Sequence, residues 1–158
     1  MRFFLALFFL LASFATSIAS NNDYLSLRFK SLEGRDITIS QLKGKPVLIE
    51  FWASWCFACK LSFKTTNKIF NKYKKKVHVI GINTDLGDPE ELKEAIAENQ
   101  IKFPVWLNHP DENNYFDGIS SLPTFIILDN KGKIVKKITG IKKDTENELD
   151  AILSKLVN

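Results

Sequence analysis

Cys56 and Cys59 are the two cysteines of the 158-residue sequence, and they stand three positions apart. A disulfide between residues this close in sequence closes a very short loop, so it removes little conformational entropy from the unfolded chain. Such a bond can open and close without disturbing the fold, and a cysteine thiolate can exchange with the disulfides of other molecules. The spacing therefore favours redox chemistry over a structural crosslink.

Cys56 lies at the predicted start of a helix, because apolar residues recur at helical spacing from there to Tyr73. Unsatisfied backbone N–H groups and the helix dipole favour negative charge on a sulfur in that position. We therefore predict that Cys56 attacks a partner disulfide. Cys59, one turn further on, then attacks the mixed disulfide and releases the reduced partner. The reverse sequence of steps would oxidise a dithiol.

Glu50 is an acidic residue in an otherwise apolar predicted strand, six positions before Cys56. A carboxyl group with little access to water has a raised pKa, so this side chain could exchange a proton with Cys59 during the reaction. The alternative is a glutamate at a strand end that reaches solvent or pairs with a lysine. We predict the proton-exchange role.

Metal and nucleic-acid binding are both disfavoured. A Cys-x-x-Cys pair is half of many zinc sites, but only His78 and His109 remain as histidine ligands, one in an apolar strand pattern and one beside a proline. We therefore expect no metal and no cofactor. The formal charge of +4 comes without a basic stripe interleaved with aromatic residues, so we expect no nucleic-acid partner. A non-catalytic redox-sensing or metal-binding protein remains as an alternative of a different class.

The pattern of apolar residues predicts strands that alternate with helices, followed by a terminal hairpin and helix. In chain order we predict a hairpin of strands 27–30 and 37–39, strand 47–52, helix 56–73, strand 77–82, helix 89–99, strand 103–107, a short helix or turn 111–116, strands 124–128 and 133–139, and a last helix capped by Asp144. This order implies an α/β fold in which a central mixed sheet is flanked by helices on both faces.

Residues 1–19 have the layout of a secretory signal peptide. Arg2 is followed by the apolar run 3–12 and then by small residues, with Ser17 and Ala19 at the positions that a signal peptidase inspects. We predict cleavage after Ala19, one domain over residues 20–158 and a location in the periplasm. The alternative is an uncleaved N-terminal membrane anchor that faces the periplasm.

Two separated segments resemble the signatures of the thioredoxin superfamily. Residues 50–60, EFWASWCFACK, resemble its active-site segment, and residues 121–125, SLPTF, resemble the segment in which a cis proline begins a strand and faces the cysteines. The predicted export signal and the inserted helix 89–99 resemble the periplasmic TlpA/ResA-like branch. The resemblance covers about residues 24–157 and implies a thioredoxin-like fold. In cytosolic thioredoxins a buried acid stands at the position of Glu50.

The resemblance also implies where substrates bind. Pro123 should follow a cis peptide bond, and the backbone at Leu122 and Pro123 should offer an exposed edge beside Cys56 to an extended substrate. Trp55 and Phe57 are candidates for an apolar surface that receives unfolded or extended partners.

The direction of the reaction is predicted from the residues between the cysteines. Phe57 and Ala58 bring no charge or hydrogen bond to the Cys56 thiolate, so the reduced form gains little and the pair should be fairly reducing. We expect a monomer that reduces disulfides of exported proteins with electrons from a membrane thiol carrier. A thiol oxidase or isomerase is the alternative. ResA-like proteins that reduce apocytochrome c tend to carry a glutamate where this chain has Ser62, which argues against that particular role.

Overall fold

The structure, a computed structural model, describes residues 24–85, 88–109, 116 and 118–158. The α-helices of this part are α1 (Phe57–Tyr73), α2 (Pro89–Glu98) and α3 (Thr145–Leu156). The strands are β1 (Arg28–Lys30), β2 (Asp36–Thr38), β3 (Val47–Trp52), β4 (His78–Asn83), β5 (Val105–Asn108), β6 (Thr124–Leu128) and β7 (Ile134–Thr139). Short 3-10 helices span Tyr24–Ser26 and Ile39–Leu42. The predicted signal peptide 1–19 lies outside the described residues, and so does the predicted helix or turn 111–116, except for Phe116.

The seven strands of the described residues form one mixed sheet in the order β2-β1-β5-β4-β3-β6-β7. Strands β3, β4 and β5 are parallel, because α1 and α2 each cross over between consecutive strands. The other pairings are antiparallel, including the N-terminal hairpin β1–β2 and the terminal hairpin β6–β7. The predicted mixed sheet, N-terminal hairpin and inserted helix α2 are confirmed.

Strand β3 is buried on both faces of the sheet, which explains why its sequence is almost entirely apolar. Successive side chains of a strand point to opposite faces. Leu48 and Trp52 join a core cluster that contains residues of all three α-helices, and Glu50 lies on this same face. Ile49 and Phe51 join the cluster on the other face.

The two faces of the sheet are covered by different kinds of helix. Among the described residues the second face is covered by the two 3-10 helices and by Phe116, whose ring lies 5.1 Å from that of Tyr24, whereas the α-helices pack on the first face. The reason is topological. Two right-handed crossovers that proceed in the same direction along a sheet, here β3-α1-β4 and β4-α2-β5, place both helices on the same side.

The helix starts show one difference between expectation and structure. The Asp88 carboxylate accepts a hydrogen bond from the Glu90 N–H (2.8 Å) and caps α2 as an N-cap residue should. Asp144 holds the N-cap position of α3, but its side chain makes no capping hydrogen bond. The Thr145 hydroxyl instead accepts the Lys142 N–H (2.8 Å), which fixes the entry to the helix. The prediction that Asp144 caps the helix is therefore right about the N-cap position, but wrong about the hydrogen bond from its side chain.

In the part of the chain that the structure describes, no helix has the length and apolar character needed to cross a membrane.

Candidate active site

Cys56 and Cys59 form a disulfide at the N-terminus of α1. Cys56 is the N-cap residue, and its sulfur accepts a hydrogen bond from the Cys59 N–H at 3.1 Å. The Cys56 side chain retains 6% of its exposure, whereas Cys59 retains 0%. The predicted helix start is confirmed, and Cys56, although buried, is the less deeply buried cysteine of the pair.

The loop between β3 and Cys56 is held by Asp85 from the loop after β4. The Asp85 carboxylate accepts hydrogen bonds from the backbone N–H of Ser54 (2.7 Å), the Ser54 hydroxyl (2.6 Å) and the Asn83 amide (2.9 Å). Burial raises the pKa of Asp85, but these hydrogen bonds outweigh it and hold the pKa below its usual value. An ionised Asp85 therefore anchors the loop that carries the disulfide.

The segment before β6 lies at the same end of the sheet as the disulfide. Thr124 pairs with Phe51, so Leu122 and Pro123 lie next to the carboxyl end of β3. Strand β3 ends only four residues before Cys56. The Leu122–Pro123 peptide bond is cis, as the resemblance implies. The Pro123 carbonyl accepts the Gly140 N–H at 2.7 Å, which ties this segment to the end of β7. Pro123 is buried and Leu122 is half-buried against the core cluster that includes both cysteines.

Glu50 is completely buried beneath the disulfide-bearing helix. Its Oε1 is hydrogen-bonded to the Ser62 hydroxyl on α1, and its Oε2 has no hydrogen-bond partner. Burial raises the pKa of Glu50 from 4.5 to about 7, while the hydroxyl groups of Ser62 and Thr66 act in the opposite direction. The alternative of a solvent-exposed or lysine-paired Glu50 is excluded.

Aromatic residues near the disulfide divide into a core residue and surface residues. Trp52 is fully buried, and its ring packs edge-on against Phe63 at 5.0 Å between centroids. Trp55 is 76% exposed and Phe57 is 75% exposed, and Leu61 is exposed one turn after Phe57 on the same side of the helix. We call Trp55, Phe57 and Leu61 the apolar patch.

Sequence reasoning missed the exposure of Leu61 and two contacts that hold this region together. Leu61 extends the predicted pair of exposed aromatic residues, and its helical spacing from Phe57 was a usable signal. Asp85 and Ser54 are 31 residues apart, and Ser62 and Glu50 are 12 apart, so both contacts depend on tertiary packing. The sequence distinguishes Ser62 as a departure from the glutamate of ResA-like proteins, but it does not indicate that Ser62 contacts Glu50.

The two histidines do not gather around the cysteines. His78 begins β4, at the opposite end of the sheet from the disulfide. His109 is buried, and its Nε2 lies 3.6 Å from Oδ1 of Asp36. Across residues 24–85, 88–109, 116 and 118–158, no group of three His, Cys, Asp or Glu side chains is placed to hold a metal ion.

The fold and this disulfide together define a thioredoxin-like oxidoreductase. The chain belongs to the Redoxin family, whose model matches residues 19–153. It is 33% identical over 126 residues to the thiol-disulfide oxidoreductase ResA of Bacillus anthracis, covering 79% of this chain and 71% of that protein.

Solved structures of a thiol-disulfide isomerase and of a thioredoxin have a similar fold. A thiol-disulfide isomerase from Corynebacterium glutamicum superposes with a TM-score of 0.71 at 27% identity, covering 87% of this chain and 97% of that one. The pneumococcal exposed lipoprotein thioredoxin of Streptococcus pneumoniae gives a TM-score of 0.69 at 25% identity, covering 82% and 98%. The protein is a thiol–disulfide oxidoreductase, and its partners are proteins that contain disulfides.

Proposed function

We propose that this oxidoreductase reduces disulfides of exported proteins, with Cys56 as the attacking thiol and Cys59 as the resolving thiol. The observation that supports this order most directly is the position of the Cys56 sulfur at the N-cap of α1. There it accepts the Cys59 N–H, and Cys56 is the less deeply buried cysteine of the pair. A donor N–H and the positive end of the helix dipole stabilise a thiolate.

The proposed reaction transfers two electrons from the dithiol to the substrate disulfide. The Cys56 thiolate attacks one substrate sulfur, a Cys56–substrate disulfide forms, and the first substrate thiolate leaves and takes a proton from water. The Cys59 thiol then loses its proton, and its sulfur attacks Cys56. The bond between Cys56 and the substrate breaks, the second substrate thiolate leaves, and the Cys56–Cys59 disulfide remains.

Glu50 is the proposed acceptor of the Cys59 proton. A carboxyl group with a pKa of about 7 is partly ionised near neutral pH, so it can take a proton and later release it to solvent. Water has little access to this position, since both Glu50 and Cys59 are fully buried. Proton transfer from a buried thiol therefore requires a buried base.

Substrates are proposed to bind across the apolar patch and the Leu122–Pro123 segment. Trp55 and Phe57 present large apolar surfaces to solvent beside the disulfide, which suits unfolded or extended chains. An extended substrate backbone could pair with the backbone at Leu122 in the manner of an added strand.

The remaining parts of the proposal concern direction, supply of electrons, location and assembly. The absence of charge at Phe57 and Ala58 supports a reducing pair, which a membrane thiol carrier would return to the dithiol state. The signal-like residues 1–19 support export to the periplasm, and one structural relative is an exposed lipoprotein. We propose that the protein acts as a monomer.

Reduction of insulin disulfides in the presence of dithiothreitol tests the catalytic proposal. Wild-type protein should accelerate insulin precipitation, and Cys56→Ser should abolish the acceleration. Cys59→Ser should accumulate mixed disulfides through Cys56 with proteins of an extracytoplasmic extract, and these would identify the substrates. Full activity of Cys56→Ser would contradict the proposal.

Titration of the cysteine pair against glutathione tests the direction. The proposal expects the pair to stay oxidised until the glutathione buffer is strongly reducing. A pair that is already reduced in a mildly oxidising buffer would favour the oxidase or isomerase alternative.

A further inference from the structure

The Ser62 hydroxyl lies between two acceptors, a placement that the proposed reaction has not yet used. Its oxygen is hydrogen-bonded to Glu50 Oε1 and also lies 2.8 Å from the Cys59 carbonyl oxygen. Ser62 is itself fully buried, so no solvent molecule competes for it at its surface. One hydroxyl thus connects the buried acid to the backbone of the buried cysteine.

A count of protons distinguishes two states of this contact. A serine hydroxyl carries a single proton, so it can donate to Glu50 or to the Cys59 carbonyl, but not fully to both. When Glu50 is neutral, its O–H can donate to the Ser62 oxygen while Ser62 donates to the Cys59 carbonyl. When Glu50 is ionised, it cannot donate, and Ser62 must turn its proton to Oε1 if the carboxylate is to have any donor there.

We propose that Ser62 is a positioning residue whose hydroxyl turns from the Cys59 carbonyl to Glu50 Oε1 when Glu50 ionises. The ionised carboxylate is the form that accepts the Cys59 proton. Oε2 of Glu50 is buried and has no hydrogen-bond partner, so it is the oxygen that receives this proton. This inference rests on the proposed role of Glu50 as proton acceptor.

The proton moves without any added reactant. Before the second step Glu50 is ionised and Ser62 donates to Oε1. The Cys59 S–H bond then breaks, the proton passes to Glu50, and the Cys59 sulfur keeps the electron pair with which it attacks Cys56. The neutral carboxyl then turns about its Cγ–Cδ bond so that its protonated oxygen faces Ser62 and donates to it. Ser62 returns to the Cys59 carbonyl, and the proton is later released to water.

Among the side chains that face Glu50, Ser62 is the one that most stabilises its ionised form. Helix α1 contributes Ser62 and Thr66, and Ser62 also contacts the Cys59 carbonyl. The neighbouring strands present Gly81 of β4 and Phe125 of β6 opposite Glu50, and neither side chain titrates. No charged side chain contributes to the shift in the pKa of Glu50, and Ser62 lowers it more than Thr66 does.

Infrared spectroscopy of the oxidised protein tests the inference through the carboxylic acid C=O band of Glu50, which is assigned by its loss in Glu50→Gln. The band should titrate near pH 7 in the wild type. In Ser62→Ala the midpoint should rise by about one pH unit, because the carboxylate loses a donor that stabilises it. Ser62→Thr keeps the hydroxyl and should restore the wild-type midpoint.

Thr66→Val is the matched control, since it removes a buried hydroxyl one turn further along the same helix that lowers the pKa of Glu50 less than Ser62 does. It should shift the midpoint less than Ser62→Ala does. An unchanged midpoint in Ser62→Ala, or an equal shift in Thr66→Val, would overturn the role of Ser62 while leaving Glu50 as the proposed base. No titrating band lost in Glu50→Gln would overturn the role of Glu50 itself.

A kinetic readout links the titration to the chemistry. Reduced protein releases two thionitrobenzoate ions from 5,5′-dithiobis(2-nitrobenzoate), the first by attack of Cys56 and the second by attack of Cys59. Near pH 7, Ser62→Ala should slow the second release several-fold and leave the first unchanged. Equal slowing of both releases, or of neither, would contradict a role for Ser62 in the second step.

Discussion

Replacing Glu50 by glutamine should change the pH dependence of stability in a way that burial alone predicts. In the oxidised protein the pKa of Glu50 rises from 4.5 to about 7 because the carboxyl is fully buried. Between these values the folded protein holds a proton that the unfolded chain has lost. The contribution of Glu50 to stability is therefore fully present below about pH 4.5 and is lost as the pH rises through about 7.

The size of the effect follows from the shift. Each pKa unit corresponds to about 1.4 kcal/mol, so ionisation of Glu50 costs the folded state about 3 kcal/mol at alkaline pH. Most of this, roughly 2–3 kcal/mol, should be lost between about pH 5 and about pH 8.5. Glutamine has nearly the same shape as glutamate and carries no charge at either of these pH values. Glu50→Gln should therefore not show this loss of stability as the pH rises.

Urea unfolding of the oxidised wild type and of Glu50→Gln at those two pH values measures the difference. We expect similar free energies of unfolding at the lower pH and a variant more stable by roughly 2–3 kcal/mol at the higher pH. His78, whose pKa is lowered by burial, is present in both proteins, so its titration cancels in the comparison. An equal loss of stability in both proteins would refute the buried, pKa-shifted carboxyl.

Two further substitutions test contacts that hold the site. Gly81→Ala would place a Cβ 2.8 Å from the rings of both Trp52 and Phe103. We therefore expect the free energy of unfolding in urea to fall by roughly 1–3 kcal/mol. An unchanged free energy of unfolding would show that these rings can move aside. Asp85→Ala removes the acceptor of the Ser54 N–H and hydroxyl, which should cost roughly 1–3 kcal/mol and speed hydrogen exchange of the Ser54 amide. Unchanged exchange at Ser54 would contradict the anchoring of the loop.

The sequence predicted what depends on local pattern. The helix start at Cys56 followed from helical spacing of apolar residues, and the burial of Glu50 followed from its place in a strand that is apolar on both sides. The cis bond before Pro123 came from the resemblance of residues 121–125 to a known signature, not from any property of those residues alone.

What could not be predicted depends on how distant elements pack. The contact between Glu50 and Ser62 requires the rotation of α1 over β3, and the contact between Ser54 and Asp85 joins two loops at the same sheet edge. Neither leaves a periodic trace in the sequence. The cap of α3 was misjudged because residue type predicts the N-cap position but not the side-chain conformation, and the Asp144 side chain makes no capping hydrogen bond.

The order of attack is the central claim, and alkylation of the reduced protein tests it directly. Iodoacetamide added in limiting amount across a range of pH, followed by mass spectrometry of the peptide that carries both cysteines, reports which sulfur is the thiolate. We predict that Cys56 is modified first and at lower pH than Cys59, because its sulfur accepts the Cys59 N–H at the start of α1. Modification of Cys59 before Cys56 would contradict the account.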